Sequence, residues 1–151
     1  MQLSAKLRWM GRVSLFIIFF WFGFLKVIAL SPAEGLVKHL HEVTLASLIP
    51  SDQFVVLLGI FECIIGLLWL FPKLTKLAFV AFMLQMFTTF LPLLFLKADT
   101  WTHTFVLTLT GQYIVKNLAL VALACMISAT EKPLHNPKLS VHSQAKPFSI
   151  S

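Results

Sequence analysis

Hydrophobic residues in this chain occur in four long, nearly continuous stretches and do not alternate with polar residues. The stretches cover residues 13–30, 53–71, 77–96 and 105–127. Each is long enough for an α-helix to cross a hydrocarbon core of about 30 Å. A barrel in a bilayer needs at least about eight strands of alternating hydrophobicity. The pattern therefore predicts four transmembrane helices.

The connections between these stretches predict how the helices are arranged. Links 72–76 and 97–104 are short, so the helices that they join should be antiparallel neighbours in an up-down four-helix bundle. The first connection, 31–52, is longer. It opens with a helix-capping pattern, in which Ser31 is the N-cap, Pro32 the first helical residue and Glu34 the third. We expect a short amphipathic helix in this outer loop, at the membrane surface or folded over the bundle.

Composition places the whole chain in the membrane. Of its 151 residues 58% are hydrophobic and only 12% are charged, and the mean hydropathy is +0.88. Soluble domains are about 25% charged. A soluble core of this size could not bury so much apolar surface, and the length suits one compact domain.

The net charge of +6 is distributed as in a membrane protein and not as in a nucleic-acid-binding protein. Ten basic residues lie outside the predicted membrane interior, and they are divided unequally between the two sides of the membrane. One side has Lys38 and Lys97. The other has eight: Lys6, Arg8, Arg12, Lys73, Lys76, Lys132, Lys138 and Lys146. Cytoplasmic loops carry the excess of lysine and arginine. The expected organisation is a basic cytoplasmic N-terminus (1–12), a transmembrane domain (13–127) and a flexible cytoplasmic tail (128–151).

Several polar residues fall inside the predicted spans. They are Lys26, Glu62, Gln85, Gln112, Lys116 and Asn117. Glu62 and Lys116 lie near the centres of the second and fourth spans, so we expect them to pair. Lys26 should extend outward to Glu34, its partner in the outer loop.

Two interpretations of this polar centre are open. The charges can form a structural network that fixes the bundle. Alternatively, they can bind a ligand or carry protons, because ionisable groups inside a membrane mark functional sites.

Motifs for other chemistry are absent from the sequence. The histidines His39, His41 and His103 fall on the outer side, but the side chains of an H-x-H pair on a helix diverge by about 200°, so no metal site is expected. Cys63 and Cys125 differ in predicted depth by roughly 13 Å, too far for a disulfide. No catalytic residue and no covalent cofactor can be assigned.

Three segments resemble the DoxX-like family of small bacterial membrane proteins. They are "WFGFLK" with "SPAEGL" after it, "GIFECIIGLLWLFPKLTKLA", and "GQYIVKNLALVALA". The likeness covers about residues 12–127 and implies a four-helix bundle in the bacterial cytoplasmic membrane. The family takes its name from a subunit of an archaeal thiosulfate:quinone oxidoreductase, and other relatives are linked to redox or oxidative-stress complexes. Matching positions give Lys26, Glu34, Glu62, Lys116 and Asn117 as the motif residues.

Three functions are compatible with these features. The first is an inner-membrane subunit that serves a redox complex and binds a quinone or similar amphiphile through Lys116, Gln112 and Gln85. Any enzymatic role would then be that of a subunit of a quinone-linked oxidoreductase. The second is a non-catalytic accessory or assembly subunit, and the third is a pathway for protons or a small solute. We expect other membrane protein subunits as partners, in addition to the lipid bilayer.

The charge distribution predicts the topology, which cysteine labelling can test. In a background without Cys63 and Cys125, a cysteine placed at Ser47 should react with an impermeant thiol reagent in intact cells. A cysteine at Ser140 should react only after lysis, because the tail is expected in the cytoplasm. The reverse labelling pattern would contradict the assignment of both termini to the cytoplasm.

Overall fold

A computed structural model describes residues 5–44 and 50–131 of the chain. Its helices are α1 (Ala5–Val27), α2 (Glu34–Thr44), α3 (Ser51–Trp69), α4 (Thr75–Phe90), α5 (Pro92–Phe95), α6 (Lys97–Thr100) and α7 (Leu109–Thr130). A 3-10 turn, Pro72–Leu74, precedes α4. Two short strands, β1 (Trp101–His103) and β2 (Val106–Leu107), pair antiparallel before α7.

Four segments in this part of the chain are long and apolar enough to cross a membrane, as predicted. They are Ala5–Val27, Ser51–Trp69, Pro72–Phe95 and Leu109–Thr130. Three boundaries differ from the prediction, and one of them is the end of α7, which continues to Thr130 although the tail is predicted from residue 128. α1 includes residues 5–12, which were expected to form a separate basic lead, and α7 begins only at Leu109, because residues 101–107 form a hairpin. From residue 132 onward, the predicted tail lies outside the described residues.

The predicted short helix in the first long connection is confirmed as α2. The predicted cap, Ser31, lies in the turn before this helix: its Oγ accepts a hydrogen bond from the Ala33 N–H at 3.3 Å, whereas the helix begins at Glu34 and not at Pro32. Glu34 does not complete a capping box, because its carboxylate binds Lys38 Nζ at 2.7 Å. Lys38 also binds Asp52 in the first turn of α3 at 2.7 Å, so α2 is tied to α3. Asp52 and, to a lesser extent, Glu34 raise the pKa of Lys38, which keeps this amine charged.

The long helices pack around one apolar core. α1 packs mainly against α3, α4 contacts both α3 and α7, and α7 also contacts α1. The core consists of aliphatic and aromatic side chains from all four helices: Leu15, Phe19, Ile65, Trp69, Ala78, Phe82, Met86, Ala124 and Ile127. The Phe82 ring packs edge-on against Trp69 and tilted against Phe19. Most of these residues come from the end of α3, the first two-thirds of α4 and the end of α7.

α1 and α3 approach closely because glycines face each other at their contact. A Cβ atom on Gly23 would lie 2.5 Å from Gly59 O, and one on Gly59 would lie 2.7 Å from Gly23 O. Further along the same contact, Gly66 lies against the backbone of Phe16 and Phe20. The residue numbers fall on α1 as they rise on α3, so these two helices run in opposite directions. Close backbone contact through small residues is typical of helix pairs in membranes.

The glycine contact predicts a sharp loss of stability when Gly59 is enlarged. Gly59→Ala should lower the free energy of unfolding by about 1–3 kcal/mol, since backbone must move to admit the methyl group. Thermal unfolding of the purified protein in detergent measures this. Gly35→Ala is the matched control, because no atom lies within 4 Å of its Cβ position, and it should leave the melting temperature unchanged or slightly higher. Equal melting temperatures for Gly59→Ala and the parent would contradict the close contact.

Candidate functional site

A buried charged cluster joins α1, α3 and α4. Lys26 Nζ donates to Glu62 Oε2 at 2.6 Å, and Gln85 Nε2 donates to Glu62 Oε1 at 2.9 Å. The three residues are 5%, 8% and 3% exposed, respectively. We call Lys26, Glu62 and Gln85 the central cluster. Both carboxylate oxygens of Glu62 have a partner within the chain.

The direction of the two helices explains why Lys26 meets Glu62. In an α-helix the Cα–Cβ bonds tilt toward the N-terminus. Lys26 is next to the last residue of α1, so its side chain leans back into the bundle. Glu62 lies in the middle of α3 and leans toward the start of that helix. Because α1 and α3 run in opposite directions, the two side chains lean toward each other across the glycine contact.

Two pairings predicted from the sequence are wrong. Lys26 does not extend to Glu34, since its side chain leans into the bundle and Glu34 is bound to Lys38. Glu62 does not pair with Lys116, whose amine instead lies 4.5 Å from the centroid of the Tyr113 ring. Depth in the membrane was not sufficient to predict these contacts. It does not determine which way a side chain leans or which face of its helix it occupies.

The predicted polar centre is assembled only in part. Lys26, Glu62 and Gln85 come together, whereas Gln112 and Lys116 are exposed and Asn117 is half-buried. The reason is the orientation of α7. Ile114 is buried against the bundle, and Gln112 and Lys116, two residues to either side, lie about 200° around the helix from it. The donors proposed for a quinone therefore do not converge within one chain.

The central cluster is suited to holding helices together. Breaking a buried ion pair leaves an uncompensated charge in a low-dielectric interior, which costs several kcal/mol. The adjoining turn of α4 is itself hydrogen-bonded, since the hydroxyls of Thr88 and Thr89 donate to Gln85 O at 2.8 and 2.9 Å. The arrangement fixes α1 and α4 to α3 at one depth.

A second buried charge, Arg12, lies toward the other end of α1. It belongs to the segment predicted as a basic cytoplasmic N-terminus. Arg12 is 1% exposed. It donates to Trp69 O at 2.9 Å and to Thr75 Oγ1 at 2.6 Å, and it forms an ion pair with Glu131. Arg12 thus connects the beginnings of α1 and α4 with the ends of α3 and α7.

The spacing of residues in α1 indicates that Arg12 is buried. Five of the six buried residues of α1 recur every three or four positions: Arg12, Leu15, Phe19, Gly23 and Lys26; the sixth is Gly11. This is the spacing of one helix face. Arg12 lies on the same stripe as Lys26, so a buried role for one predicts a buried role for the other.

Two of the three described histidines, His39 and His41, lie on α2, and His103 lies at the end of β1. His39 Nδ1 is 2.8 Å from Asp99 Oδ2, a contact that joins α2 to α6. The buried His41 ring packs against Phe54 at 4.9 Å between centroids, and neither of its ring nitrogens has a hydrogen-bond partner among the described residues. Within residues 5–44 and 50–131, no group of three or more histidine, cysteine or acidic side chains is placed to hold a metal ion. Cys63 and Cys125 are free thiols.

Comparison with protein-family models, curated protein sequences and solved structures found no match to this chain. The likeness to DoxX-like proteins therefore rests on the quoted sequence segments alone. The fold and the buried charges define a class, that of helical proteins with several membrane-spanning segments.

The central cluster predicts that its two charges stabilise the protein only together. Lys26→Met or Glu62→Gln alone should lower the free energy of unfolding by about 3–5 kcal/mol, because the remaining charge loses its partner. The double variant should recover most of this loss. Unfolding in detergent measures all three variants against the parent.

Lys116→Met is the control for this experiment, since Lys116 is exposed and takes no part in the cluster. It should unfold like the parent in detergent. If the loss of unfolding free energy in the double variant equals the sum of the losses in the two single variants, Lys26 and Glu62 are not energetically coupled. In that case the central cluster does not hold the helices together.

Proposed function

We propose that this protein is a small, non-catalytic accessory or assembly subunit of a larger complex in the bacterial cytoplasmic membrane. The main support for this proposal is that the charges of the central cluster have their partners within the chain. Lys26 and Gln85 both bind Glu62, so these donors are engaged in holding helices and are not directed at a substrate. The resemblance to DoxX-like proteins supports a redox complex as the assembly that this subunit serves.

The proposal includes an up-down helix order with both termini in the cytoplasm. The Arg12 contacts support this order, because Arg12 binds groups at the end of α3, the start of α4 and just beyond α7. These are the elements that meet at one end of the bundle if successive long helices alternate in direction. The excess of basic residues near the same end supports its cytoplasmic location.

A quinone site within one chain has less support than an accessory role. A quinone needs an apolar slot with donors directed at its carbonyl oxygens. Of the donors considered, Gln85 is engaged by Glu62, and Gln112 and Lys116 lie on the exposed side of α7. Any quinone contact by Gln112 and Lys116 would need a second protein to form the other wall.

A proton pathway through the centre also has little support. Proton transfer needs a chain of hydrogen-bonding groups, but apolar side chains separate the central cluster from Arg12. Leu15 and Ile65 are 0% exposed and Phe19 is 4% exposed in this interval. These apolar side chains lie between the two charged clusters along α1 and α3 and do not support proton transfer from one to the other.

The proposed function predicts that the protein is isolated as part of a larger assembly. Native membranes should be extracted into lipid nanodiscs by a polymer and the tagged chain purified, with its mass measured by native mass spectrometry. We expect complexes that contain further membrane proteins, and we expect the Lys26→Met, Glu62→Gln double variant to assemble like the parent. Stoichiometric quinone bound to the isolated chain, and lost from the double variant, would overturn the non-catalytic assignment.

A further inference from the structure

The N-terminal half of α7 has polar side chains on a surface that faces outward from the bundle. Gln112 and Lys116 are exposed, and Asn117 is half-buried beside them. α7 is also the least enclosed of the four apolar helices. Only 17% of its most apolar window is buried, compared with 33% for α1. In a single chain this surface would contact lipid.

Lys116 lies within the apolar length of α7 and has no counter-charge in the described part of the chain. Its Cα is seven residues from Leu109, or roughly 10 Å along the axis. Its side chain leans toward the start of the helix and its amine lies over the Tyr113 ring. Within residues 5–44 and 50–131, no acidic group forms an ion pair with Lys116. A cation–π contact offsets only part of the free energy that a lysine costs in hydrocarbon.

The surface beyond Lys116, toward the start of α7, combines the exposed amide of Gln112 with large exposed apolar side chains. Leu109 is 73% exposed, and Phe105, at the turn of the β-hairpin, is 92% exposed. Phe105 also has a φ of 64°, a left-handed conformation that bulky residues rarely adopt because it is strained. The hairpin thus holds a large aromatic side chain exposed just before the start of α7. Exposed aromatic residues of this kind are typical anchors of protein interfaces.

We infer that the exposed face of α7, formed by Leu109, Gln112, Tyr113, Lys116 and Asn117, is the docking surface for a transmembrane helix of a different protein. That helix carries an aspartate or glutamate at the depth of Lys116. The inference rests on the proposed function, since it names the kind of partner that an accessory subunit would bind. The amides of Gln112 and Asn117 provide further hydrogen bonds of the type that join helices in membranes.

Charge complementarity favours a different protein over a second copy of this chain as the occupant, and the exposed Glu42 lies on α2, outside the four apolar segments. The acidic residue in the middle of a span is Glu62, and it is buried and bound to Lys26 and Gln85. Glu131 is bound to Arg12. Two copies packed through α7 would place Lys116 against Lys116, which is repulsive. A lipid phosphate is also a poor partner, because headgroups lie at the membrane surface and the exposed Leu109 separates Lys116 from it.

A membrane-permeant carbodiimide tests this chemistry directly. Dicyclohexylcarbodiimide joins an amine and a carboxylate in contact as an amide, and the water lost is taken up by the reagent as its urea. In native membranes, mass spectrometry after digestion should find Lys116 linked to an aspartate or glutamate within a span of another protein. Lys116→Arg should keep the complex but lose the cross-link, because the guanidinium retains its charge and cannot be deprotonated. Lys76→Arg, at another exposed lysine, should change neither.

Charge reversal provides the second arm of the test. Lys116→Glu should reduce the fraction of the chain found in the larger complex at least tenfold, since it opposes the partner's carboxylate. The purified variant should melt like the parent, because Lys116 is exposed, and this separates loss of docking from loss of folding.

Three results would overturn the inference. A cross-link from Lys116 to another copy of this chain would make the face a homomeric interface. An unchanged complex with Lys116→Glu, and no cross-link in the parent, would show that α7 faces lipid while the proposed function stands. A parent chain that is monomeric in native nanodiscs would overturn the proposed function as well.

Discussion

The cost of an unpaired charge in hydrocarbon is the constraint on which this structure depends. Apolar packing alone does not fix the rotation of a helix in lipid, because lipid tails are as apolar as the side chains they replace. Ion pairs with defined geometry do fix this rotation. Lys26 binds Glu62 near one end of α1, and Arg12 binds Glu131 near the other. α1 is therefore held in rotation and depth at two points, and the apolar core between them packs in the register that these pairs set.

The same constraint limits what the bundle can do. A carboxylate that accepts hydrogen bonds from both a lysine and a glutamine does not need a ligand as a further partner. Displacing either partner would leave a charge uncompensated in a low-dielectric interior. Catalysis at such a centre would require it to open, yet Gly23 and Gly59 hold the helices in backbone contact. The interior is thus suited to rigidity, and the polar groups left for recognition are those on the outside.

Sequence reasoning succeeded where the property is set by composition or by local pattern. The four apolar helices and α2 follow from stretch length and from the capping pattern that begins at Ser31. Lys26, Glu62 and Gln85 were recognised as a polar centre because any ionisable residue inside a span is conspicuous. Their partners were not predicted correctly, because pairing depends on helix rotation and side-chain lean. The hairpin was missed because its turn at Phe105 has no glycine or asparagine to mark a left-handed residue.

Lys26 and Lys116 show how helix direction decides whether a charge is enclosed. Both are lysines within apolar helices, and both lean toward the N-terminus of their own helix. For Lys26, at the end of α1, that direction leads into the bundle and to Glu62. For Lys116, in the first half of α7, it leads along the exposed surface toward Tyr113. The rule that every deep charge needs a counter-charge is met inside the chain for the first lysine. For the second, no described acidic group of the chain meets it, and the docking helix that we infer would supply the missing counter-charge.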